Sequence, residues 1–426
     1  MLKSESTCVV QVDLSSPDGS LTGWERAFVG TRDDLAPAIA ARALRCFEDL
    51  LIERACGRRG RPTARRADVG CPRCGADVGL RRRGRRRRTV LSRAGRLELR
   101  LAMIGCRCGH RFAPLLGALG VAPRARLAPG LARRALELCS ELPYARAAAQ
   151  LRREAGAAPS PRSLGRLVRR AAARIALGRP RSPLSGIEAV LIDETRVRAG
   201  PRKGRDDRGR ELKICIGLRT LGAGRRIELI GATLADSWTS LGPVLAAARG
   251  ARIAVTDGEW GARALLAATL PRVPHQVCTF HVRHSLDHRL WQDGVSFARR
   301  RRLAAQLGNA IEFARSAAGA DHALATARDR AERERWRHTA RHLREVAPHL
   351  ATWLRLDPTG RLAHTTSLLE RTMREVNRRV DPVGVRWSLE GARAMTALIL
   401  ARRFAHPRWL RLCQDRGPAT SRVRIS

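Results

Sequence analysis

Apolar stretches in the centre of the chain predict strands. Residues 187–198 contain the run Ala189-Val190-Leu191-Ile192, which lacks polar alternation and is typical of a strand buried on both faces. This run places Asp193 at its end. Residues 251–258 repeat the construction, with an apolar run that ends on Asp257. The pattern therefore predicts two buried strands, each with an acid at its tip.

The segments around these two strands complete a mixed α/β pattern. Residues 211–218 and 226–232 predict two hairpin-linked strands, and residues 237–248 predict a crossover helix. This order outlines the mixed sheet of a ribonuclease-H-like fold. Ser367 is expected to cap the helical turn that contains Glu370. Further helices are predicted over residues 259–270, 285–356, 365–379 and 383–405.

The N-terminal part of the chain predicts smaller elements. A strand is expected over residues 9–14, a helix from Asp33 to about Ala55, and a Gly/Arg-rich linker after it. Residues 89–101 predict a hairpin with a glycine-containing turn. Residues 129–178 predict three helices, the last with Ser160 and Pro161 at its start.

The charge of the chain indicates its partner. Lys and Arg number 82 against 39 Asp and Glu, and the formal net charge is +43. A compact chain with this excess repels itself, so a polyanionic partner is expected. Codon bias in a GC-rich genome would explain Arg in place of Lys, but it would not explain two basic residues for every acid. We therefore predict binding to double-stranded DNA.

Four of the 11 cysteines have the spacing of a metal site. Cys71 and Cys74 form one pair, Cys106 and Cys108 form a second, and a glycine follows each pair. Two such pairs around a hairpin can direct four thiolates at one tetrahedral Zn²⁺. The alternative is free thiols in a small β unit. The second pair is Cys-x-Cys instead of Cys-x-x-Cys, so His110 is an alternative ligand.

Two groups of arginines are candidates for contacts with DNA phosphates. One group lies in the basic run of residues 81–88, which could equally be a solvated loop. The other lies on the third predicted helix of a segment that resembles a helix-turn-helix, although any small helical bundle has this pattern. The candidate residues are Arg85, Arg86, Arg87, Arg88, Arg162, Arg166, Arg169 and Arg170.

Three acids are candidates for a magnesium site. Asp193 and Asp257 end the two buried strands, and Glu370 lies on a helix after a long helical stretch. Hard carboxylate oxygens on rigid elements are the ligands that two Mg²⁺ or Mn²⁺ ions need for phosphoryl transfer. Glu375 and Glu194 are weaker candidates. Cys278 and His281, one turn apart at a helix start, could form a structural contact or, with His284, a metal site.

These residues carry a resemblance to a known family. The segments VLIDET, TDGEWGARALLAATLP, HQVCTFHVRH and TTSLLERTMREVNRR, within residues 187–405, resemble the catalytic core of the Mutator-like DDE transposases and related bacterial insertion-sequence enzymes. The resemblance implies that Asp193, Asp257 and Glu370 hold the catalytic metals, near Cys278 and His281. Many relatives have Asn shortly before the Glu, whereas this chain has Ser367.

The resemblance implies a bacterial enzyme that nicks the ends of its own element and joins them to target DNA, and a homo-oligomer that brings two ends together. The alternatives are a DNA-binding regulator with a degenerate catalytic domain, or a ribonuclease-H-type nuclease or resolvase. Without a signal peptide or an apolar membrane segment, a cytoplasmic, nucleoid-associated protein with no membrane contact is expected.

The patterns divide the chain into seven predicted segments. An N-terminal strand and helix region is followed by a zinc-ribbon-like module and a helix-turn-helix region. The catalytic core follows in two parts around a helical insertion, and a basic tail ends the chain. The predicted boundaries, in chain order, are 1–60, 61–128, 129–180, 186–284, 285–360 for the insertion, 361–405 and 406–426.

Overall fold

The fold was analysed in a computed structural model. The structure describes residues 21–56, 69–122, 124–179, 184–201, 209–221, 224–235, 237–382 and 385–413. The chain divides into two compact units, residues 1–167 with 413–426 and residues 168–412. The predicted strand over residues 9–14, the linker after residue 56 and most of the basic tail lie outside the described residues. No helix in the described ranges is long and apolar enough to cross a membrane.

The first unit is a helix packed on an antiparallel hairpin. α1 (Leu21–Cys56) crosses β1 (Arg81–Ser92) and β2 (Gly95–Gly105), and β3 (Arg111–Phe112) pairs with β2. A short helix, α2 (Pro114–Ala118), follows. Every second residue of the first half of β2 is buried, as expected for a strand with one face on a core. The shared core contains Leu51, Val90, Leu97, Leu99, Leu101 and Leu115.

Two sequence expectations in this unit need correction. The predicted hairpin is confirmed, but β1 begins at Arg81, so the whole basic run is strand and not a loop. The pairing of Arg81 with Gly105 and of Arg82 with Ile104 extends the ladder through it. α1 begins at Leu21 and not near Asp33, so Asp33 lies inside the helix and does not mark its first turn; Pro37 also lies inside it.

Three helices follow, as the sequence predicted. They are α3 (Pro129–Glu141), α4 (Tyr144–Ala155) and α5 (Pro161–Ile175). Gly156 ends α4 in the left-handed conformation, with φ of 63°, which glycine adopts at little cost. The Ser160 hydroxyl accepts the N–H of Ser163 at 3.3 Å, so the expected cap of α5 is present.

The second unit is built on a five-stranded mixed sheet. The strand order is β6-β5-β4-β7-β8, with antiparallel pairs among the first three strands and parallel pairs from β4 to β8. β8 was not predicted, because three residues carry too little periodicity to indicate a strand. The strands are β4 (Ala189–Val197), β5 (Arg210–Leu221), β6 (Gly224–Leu234), β7 (Ile253–Thr256) and β8 (His275–Val277).

Asp193 lies in the middle of β4 and not at its tip as predicted. Pairing of β4 with β7 stops at Leu191 opposite Val255. Pairing with β5 continues to Val197 opposite Arg210. The apolar run therefore ends where β4 loses one neighbour, whereas the strand itself goes on.

Helices cover the sheet and form a second core. The predicted crossover helix is broken into α6 (Gly242–Leu245) and a 3-10 turn on each side, Trp238–Leu241 and Ala246–Ala248. The other helices are α7 (Trp260–Thr269), α8 (Thr279–Gln292), α9 (Phe297–Glu312), α10 (Ala317–Arg333), α11 (Arg337–Leu350), α12 (Thr352–Leu356), α13 (Ser367–Val380), α14 (Leu389–Arg403) and α15 (Pro407–Cys413).

The helical stretch encloses its own apolar core. Trp336 and Trp353 are buried, as expected for core residues. His322 and His338 are exposed as predicted, but His342 is not, because its ring faces the core side of α11. Ser367 is the first residue of α13 and Thr366 takes the cap position, so the hydroxyl of Ser367 does not cap the helix.

The pH dependence of stability tests the burial of His342. Its Nε2 is buried and has no hydrogen-bond partner within the described ranges. Burial, and then the charges of Arg289 and Arg263, lower the pKa of His342 from 6.5 to about 4. As the pH falls, the imidazole of His342 is protonated near pH 6.5 in the unfolded chain but only near pH 4 in the native state. Stability is therefore full above pH 6.5 and decreases as the pH falls through this window.

We expect His342→Gln to flatten this dependence. Between pH 7 and pH 5 the wild-type free energy of unfolding should fall by about 2 kcal/mol more than that of the variant. Urea denaturation at the two pH values measures the difference. His338→Gln, an exposed change on the same helix, is the control. Equal pH dependence in wild type and His342→Gln would contradict the prediction.

Candidate functional site

Asp193 and Asp257 are adjacent at one end of the sheet. Leu191 of β4 lies opposite Val255 of β7, where the pairing ends, and each acid follows two residues further along its chain. Asp257 directly follows the last residue of β7, Thr256. The charge of Asp257 acts on Asp193. The parallel pairing therefore directs both acids to the same end of the sheet.

Asp193 is a buried carboxylate with an unsatisfied oxygen. It is 4% exposed; its Oδ1 accepts the N–H of Glu194 at 2.8 Å, and Oδ2 is buried with no hydrogen-bond partner in the part of the chain that the structure describes. Burial, helped by the charge of Asp257, raises the pKa of Asp193 to about 6, against the lowering effects of His281, the Thr366 hydroxyl and the Glu194 N–H. Such an oxygen requires a cation or a proton to offset its desolvation.

A tight turn orients Asp257. Its Oδ1 accepts the N–H of Glu259 at 3.0 Å, and the N–H of Gly258 donates to the Thr256 hydroxyl at 3.0 Å. Gly258 has φ of +87°, and a Cβ there would lie 3.0 Å from Cγ1 of Val277. The Asp-Gly pair is therefore required by the close approach of β8 as well as by the backbone conformation.

Thr366 joins the start of α8 to the start of α13. Its side chain is fully buried, its N–H donates to Sγ of Cys278 at 3.3 Å, and its hydroxyl lies 3.3 Å from Nδ1 of His281. α13 begins at Ser367, and the N–H of Glu370 donates to the Thr366 carbonyl at 3.1 Å. Oε1 of Glu370 then lies 4.0 Å from Nε2 of His281. This segment brings Glu370 towards the two aspartates.

His281 carries positive charge among the acids. Burial lowers its pKa, but the Cys278 sulfur and the carboxylates of Asp193 and Asp257 outweigh burial and raise the pKa of His281 to about 9. One imidazole therefore faces the three carboxylates, and the Cys278 and Thr366 contacts hold its ring. Cys278 precedes α8 and His281 lies in its first turn, as the sequence predicted.

Two weaker candidates have other partners. Glu375 forms an ion pair with Arg403, one turn and a half along α13 from Glu370. Glu194 lies 3.2 Å from Nζ of the buried Lys213. Burial raises the pKa of Glu194 to about 7, against the lowering effect of Lys213. Neither carboxylate belongs to the group around His281.

The four cysteines of the first unit form a compact cluster. Sγ of Cys71 lies 3.7 Å from Sγ of Cys108, and Sγ of Cys74 lies 3.6 Å from Sγ of Cys106. Four sulfurs bound tetrahedrally to Zn²⁺ at about 2.3 Å are about 3.8 Å apart. The described residues hold no other group of three or more His, Cys, Asp or Glu whose ligand atoms all lie within 4.8 Å. His284 therefore does not complete a site with Cys278 and His281.

Backbone N–H groups prepare the cluster for a cation. Burial raises the pKa of Cys71, but the N–H groups of Cys74 and Arg73 and the neighbouring thiols outweigh it and lower the pKa to about 7. The N–H of Ala76 lowers the pKa of Cys74, but the neighbouring thiols and burial outweigh it and raise that pKa to about 12. The thiolate, which is the metal-binding form, is therefore accessible near neutral pH at Cys71 and not at Cys74. His110 stacks on Phe112 with ring centroids 6.1 Å apart and is not part of the cluster. The cluster can bind a metal ion such as zinc.

The eight candidate arginines differ in their surroundings. Arg88 donates to the carbonyl of Ala125 at 2.6 Å, Arg85 pairs with Asp49 at 3.4 Å, and Arg169 lies 3.5 Å from Glu390. Arg85 is exposed despite this pair, and so are Arg86, Arg87, Arg162, Arg166 and Arg170. The last three recur every four residues on one face of α5. Arg86 and Arg87 line a cleft of about 1330 Å³ in the first unit.

Sequence reasoning missed Thr366, Lys213, Trp238 and Glu259. Thr366 had no signal, because a threonine before a helix indicates only a cap. Lys213 could have been found, because it is a single charge near the start of the apolar strand residues 212–218. Glu259 was visible beside Asp257 but had no indicated partner.

The comparison with known proteins identifies the family. Residues 72–402 match the family described as "Transposase, Mutator family". The match covers most of the chain and includes three of the four clustered cysteines, the mixed sheet and the three acids. The chain therefore belongs to the Mutator family of transposases, as the sequence resemblance predicted. No curated protein matches the sequence.

Zinc content tests the cysteine cluster. Cys71→Ser combined with Cys74→Ser removes one thiol from each close sulfur pair, and we expect the protein to lose about one equivalent of zinc. Elemental analysis of the purified chain measures this. Cys46→Ser, a change in the same unit outside the cluster, should retain the metal. Unchanged zinc in the double variant would refute the site.

Proposed function

We propose that the chain is a DDE transposase of a bacterial insertion sequence, with a ribonuclease-H-like catalytic core. It binds the ends of its element, cuts DNA strands there and joins the 3′-OH ends to target DNA. The family match supports transposase activity. The observation that carries the finer proposal is that His281 lies 4.0 Å from Glu370 and also interacts with the charges of Asp193 and Asp257, which links the three acids at one end of the mixed sheet.

The acids fit two Mg²⁺ or Mn²⁺ ions. Oδ2 of Asp193 and Oε1 of Glu370 are buried oxygens without hydrogen-bond partners among the described residues, and hard carboxylate oxygens are the ligands that these ions prefer. When bound, the two ions would activate the attacking oxygen and stabilise the leaving oxygen of the phosphodiester. Asp193, Asp257 and Glu370 would hold these ions, and Asp193 is the most buried of the three.

The other residues of the site position these acids. The backbone of Glu194 fixes Oδ1 of Asp193, so that Oδ2 is the oxygen left for a cation. Thr366 fixes the first turn of α13 and with it Glu370. His281 compensates part of the negative charge, which limits repulsion among the carboxylates. We assign Cys278 and His281 this structural role.

The first unit and α5 are the proposed DNA-binding elements. The zinc-ribbon-like module, residues 61–128, would place Arg86 and Arg87 on DNA phosphates, and the helix-turn-helix region, residues 129–180, would present α5 to a groove. The net charge of +43 fits a polyanionic partner. Pairing of two element ends calls for a homo-oligomer.

Two alternative functions differ from the proposed transposase in their chemistry. A DNA-binding regulator would bind element ends without cutting, and a ribonuclease-H-type nuclease or resolvase would cut without joining. The presence of all three acids at one sheet end favours an active enzyme over the regulator, and the helical insertion before Glu370, α9 to α12, is unlike a minimal nuclease core.

Substitution of the acids tests the catalytic assignment. Asp193→Asn, Asp257→Asn and Glu370→Gln each remove one proposed ligand, and each should lower strand transfer by about a thousandfold or more, as for groups that act as a unit. Binding to element ends should persist. Gel assays with labelled end DNA measure both steps. Glu375→Gln, on the same helix but paired with Arg403, is the matched control. Full activity of Asp193→Asn would refute the mechanism.

The salt dependence of binding tests the face of α5. The slope of log K against log salt is negative, and each lost phosphate contact reduces its magnitude by about 0.9. Simultaneous substitution of Arg162, Arg166 and Arg170 by Ala should therefore reduce the magnitude of the slope by about 2 to 3. Arg169→Ala is the control, because Glu390 lies 3.5 Å from that guanidinium. A slope unchanged by the triple substitution would remove α5 from the DNA interface.

A further inference from the structure

A completely buried lysine lies behind the candidate acid site. Lys213 of β5 is 0% exposed. Its Nζ lies 2.5 Å from Oε2 of Glu211, 3.2 Å from Oε2 of Glu194 and 3.1 Å from the carbonyl of Ala235. Nζ also lies 4.9 Å from the ring centre of Trp238. A buried ammonium with this many partners holds the elements that contribute them.

This lysine is connected to both aspartates on the sheet. Glu194 is the neighbour of Asp193 and is directly opposite Lys213 in the β4–β5 ladder. Successive residues of a strand face opposite sides, so Glu194 and Asp193 are on the two faces of β4. The backbone N–H of Glu194 is also the donor to Oδ1 of Asp193. Fixing the side chain of Glu194 therefore fixes the backbone that orients Asp193.

The second connection passes through an indole. Nε1 of Trp238 donates to Oε2 of Glu259, and the N–H of Glu259 donates to Oδ1 of Asp257. The order of contacts is Lys213, Trp238, Glu259 and Asp257. Both aspartates thus receive a backbone hydrogen bond from a glutamate that is held, directly or through Trp238, by Lys213.

Gly261 shows that this arrangement has a conformational cost. It lies in the first turn of α7, where glycine is less favourable than alanine by about 1 kcal/mol. A Cβ at this position would lie 2.4 Å from Cδ1 and 3.0 Å from Nε1 of Trp238. Only glycine lets the indole lie against the helix and reach Glu259. α7 therefore loses intrinsic helix stability at Gly261, the position where the indole of Trp238 packs against it.

We propose that Lys213 is a positioning residue for the divalent-cation site. Through Glu194 on one side and through Trp238 and Glu259 on the other, it sets the relative orientation of Asp193 and Asp257, and so the affinity for the metal ions. This inference rests on the proposed function of the two aspartates. Lys213 touches neither acid itself.

Mn²⁺ binding, followed by electron paramagnetic resonance of the free ion, tests the proposal without requiring activity. Lys213→Met should weaken binding by about tenfold, the scale expected when outer-shell partners of metal ligands are removed. Arg219→Met is the matched control. Arg219 lies six residues further along β5 and forms a cross-strand ion pair with Glu228 at 3.3 Å. This control should bind Mn²⁺ as the wild type does.

Glu259 supplies a test that does not depend on removing a buried charge. Glu259→Gln retains an acceptor for the Trp238 indole and should bind Mn²⁺ with near wild-type affinity, whereas Glu259→Ala should lose about tenfold. Gly261→Ala, which changes no charge, should also weaken binding by displacing Trp238. Thermal melting shows whether each variant is folded. If Lys213→Met does not fold, the comparison of Glu259→Gln with Glu259→Ala decides whether the proposal holds.

The outcomes separate positioning from stability and from the proposed function. Unchanged Mn²⁺ affinity in folded Lys213→Met, or in Glu259→Ala, overturns the proposal, and so does an equal loss in Arg219→Met. If Asp193→Asn abolishes strand transfer while Lys213→Met changes neither metal binding nor activity, only the positioning role fails. If Asp193→Asn binds Mn²⁺ and remains active, the proposed function itself fails.

Discussion

The parallel pairing of β4 with β7 is the constraint on which the candidate site depends. Leu191 opposite Val255 is the last pair of the ladder, and the two aspartates lie two residues beyond it on the same side of their chains. A slip of one residue would turn one of these side chains to the opposite face of the sheet. The core beneath the sheet, which includes Val190, Ile192 and Ala254, specifies the register because a slip would expose it.

At this end of the sheet, the two faces carry different charged groups. One carries the carboxylates with His281 and the start of α13, where buried charge is left partly unsatisfied. The other carries the Lys213 network, in which Nζ of Lys213 lies close to Glu211, Glu194 and the carbonyl of Ala235. Oε2 of Glu194 is paired with that ammonium at 3.2 Å but has no regular hydrogen bond among the described residues. The two faces thus differ in the sign of the charge at their centre: carboxylates on one, an ammonium on the other.

Local pattern was sufficient to predict most of the second unit's strands and helices, because apolar periodicity records which face is buried. It was insufficient for the basic run at Arg81–Arg88, since pairing with β2 overrides a composition that favours solvent. It also placed Asp193 at a strand end, because sequence does not show where a neighbouring strand stops. The three acids and four cysteines could be named as candidates. Thr366 could not, because its contact with Cys278 joins residues 88 positions apart.

That contact has a consequence for how the chain can vary. Cys278 and Thr366 close the helical stretch between them into a loop whose two ends meet at one point. The entropy of closing a flexible loop changes slowly with its length, by about 0.6 kcal/mol for each doubling. Helices could be added to or removed from α9–α12 without moving Glu370, provided that the closure remains. The stretch α9–α12 can therefore differ in length and in surface residues while Cys278 and Thr366 keep its two ends together.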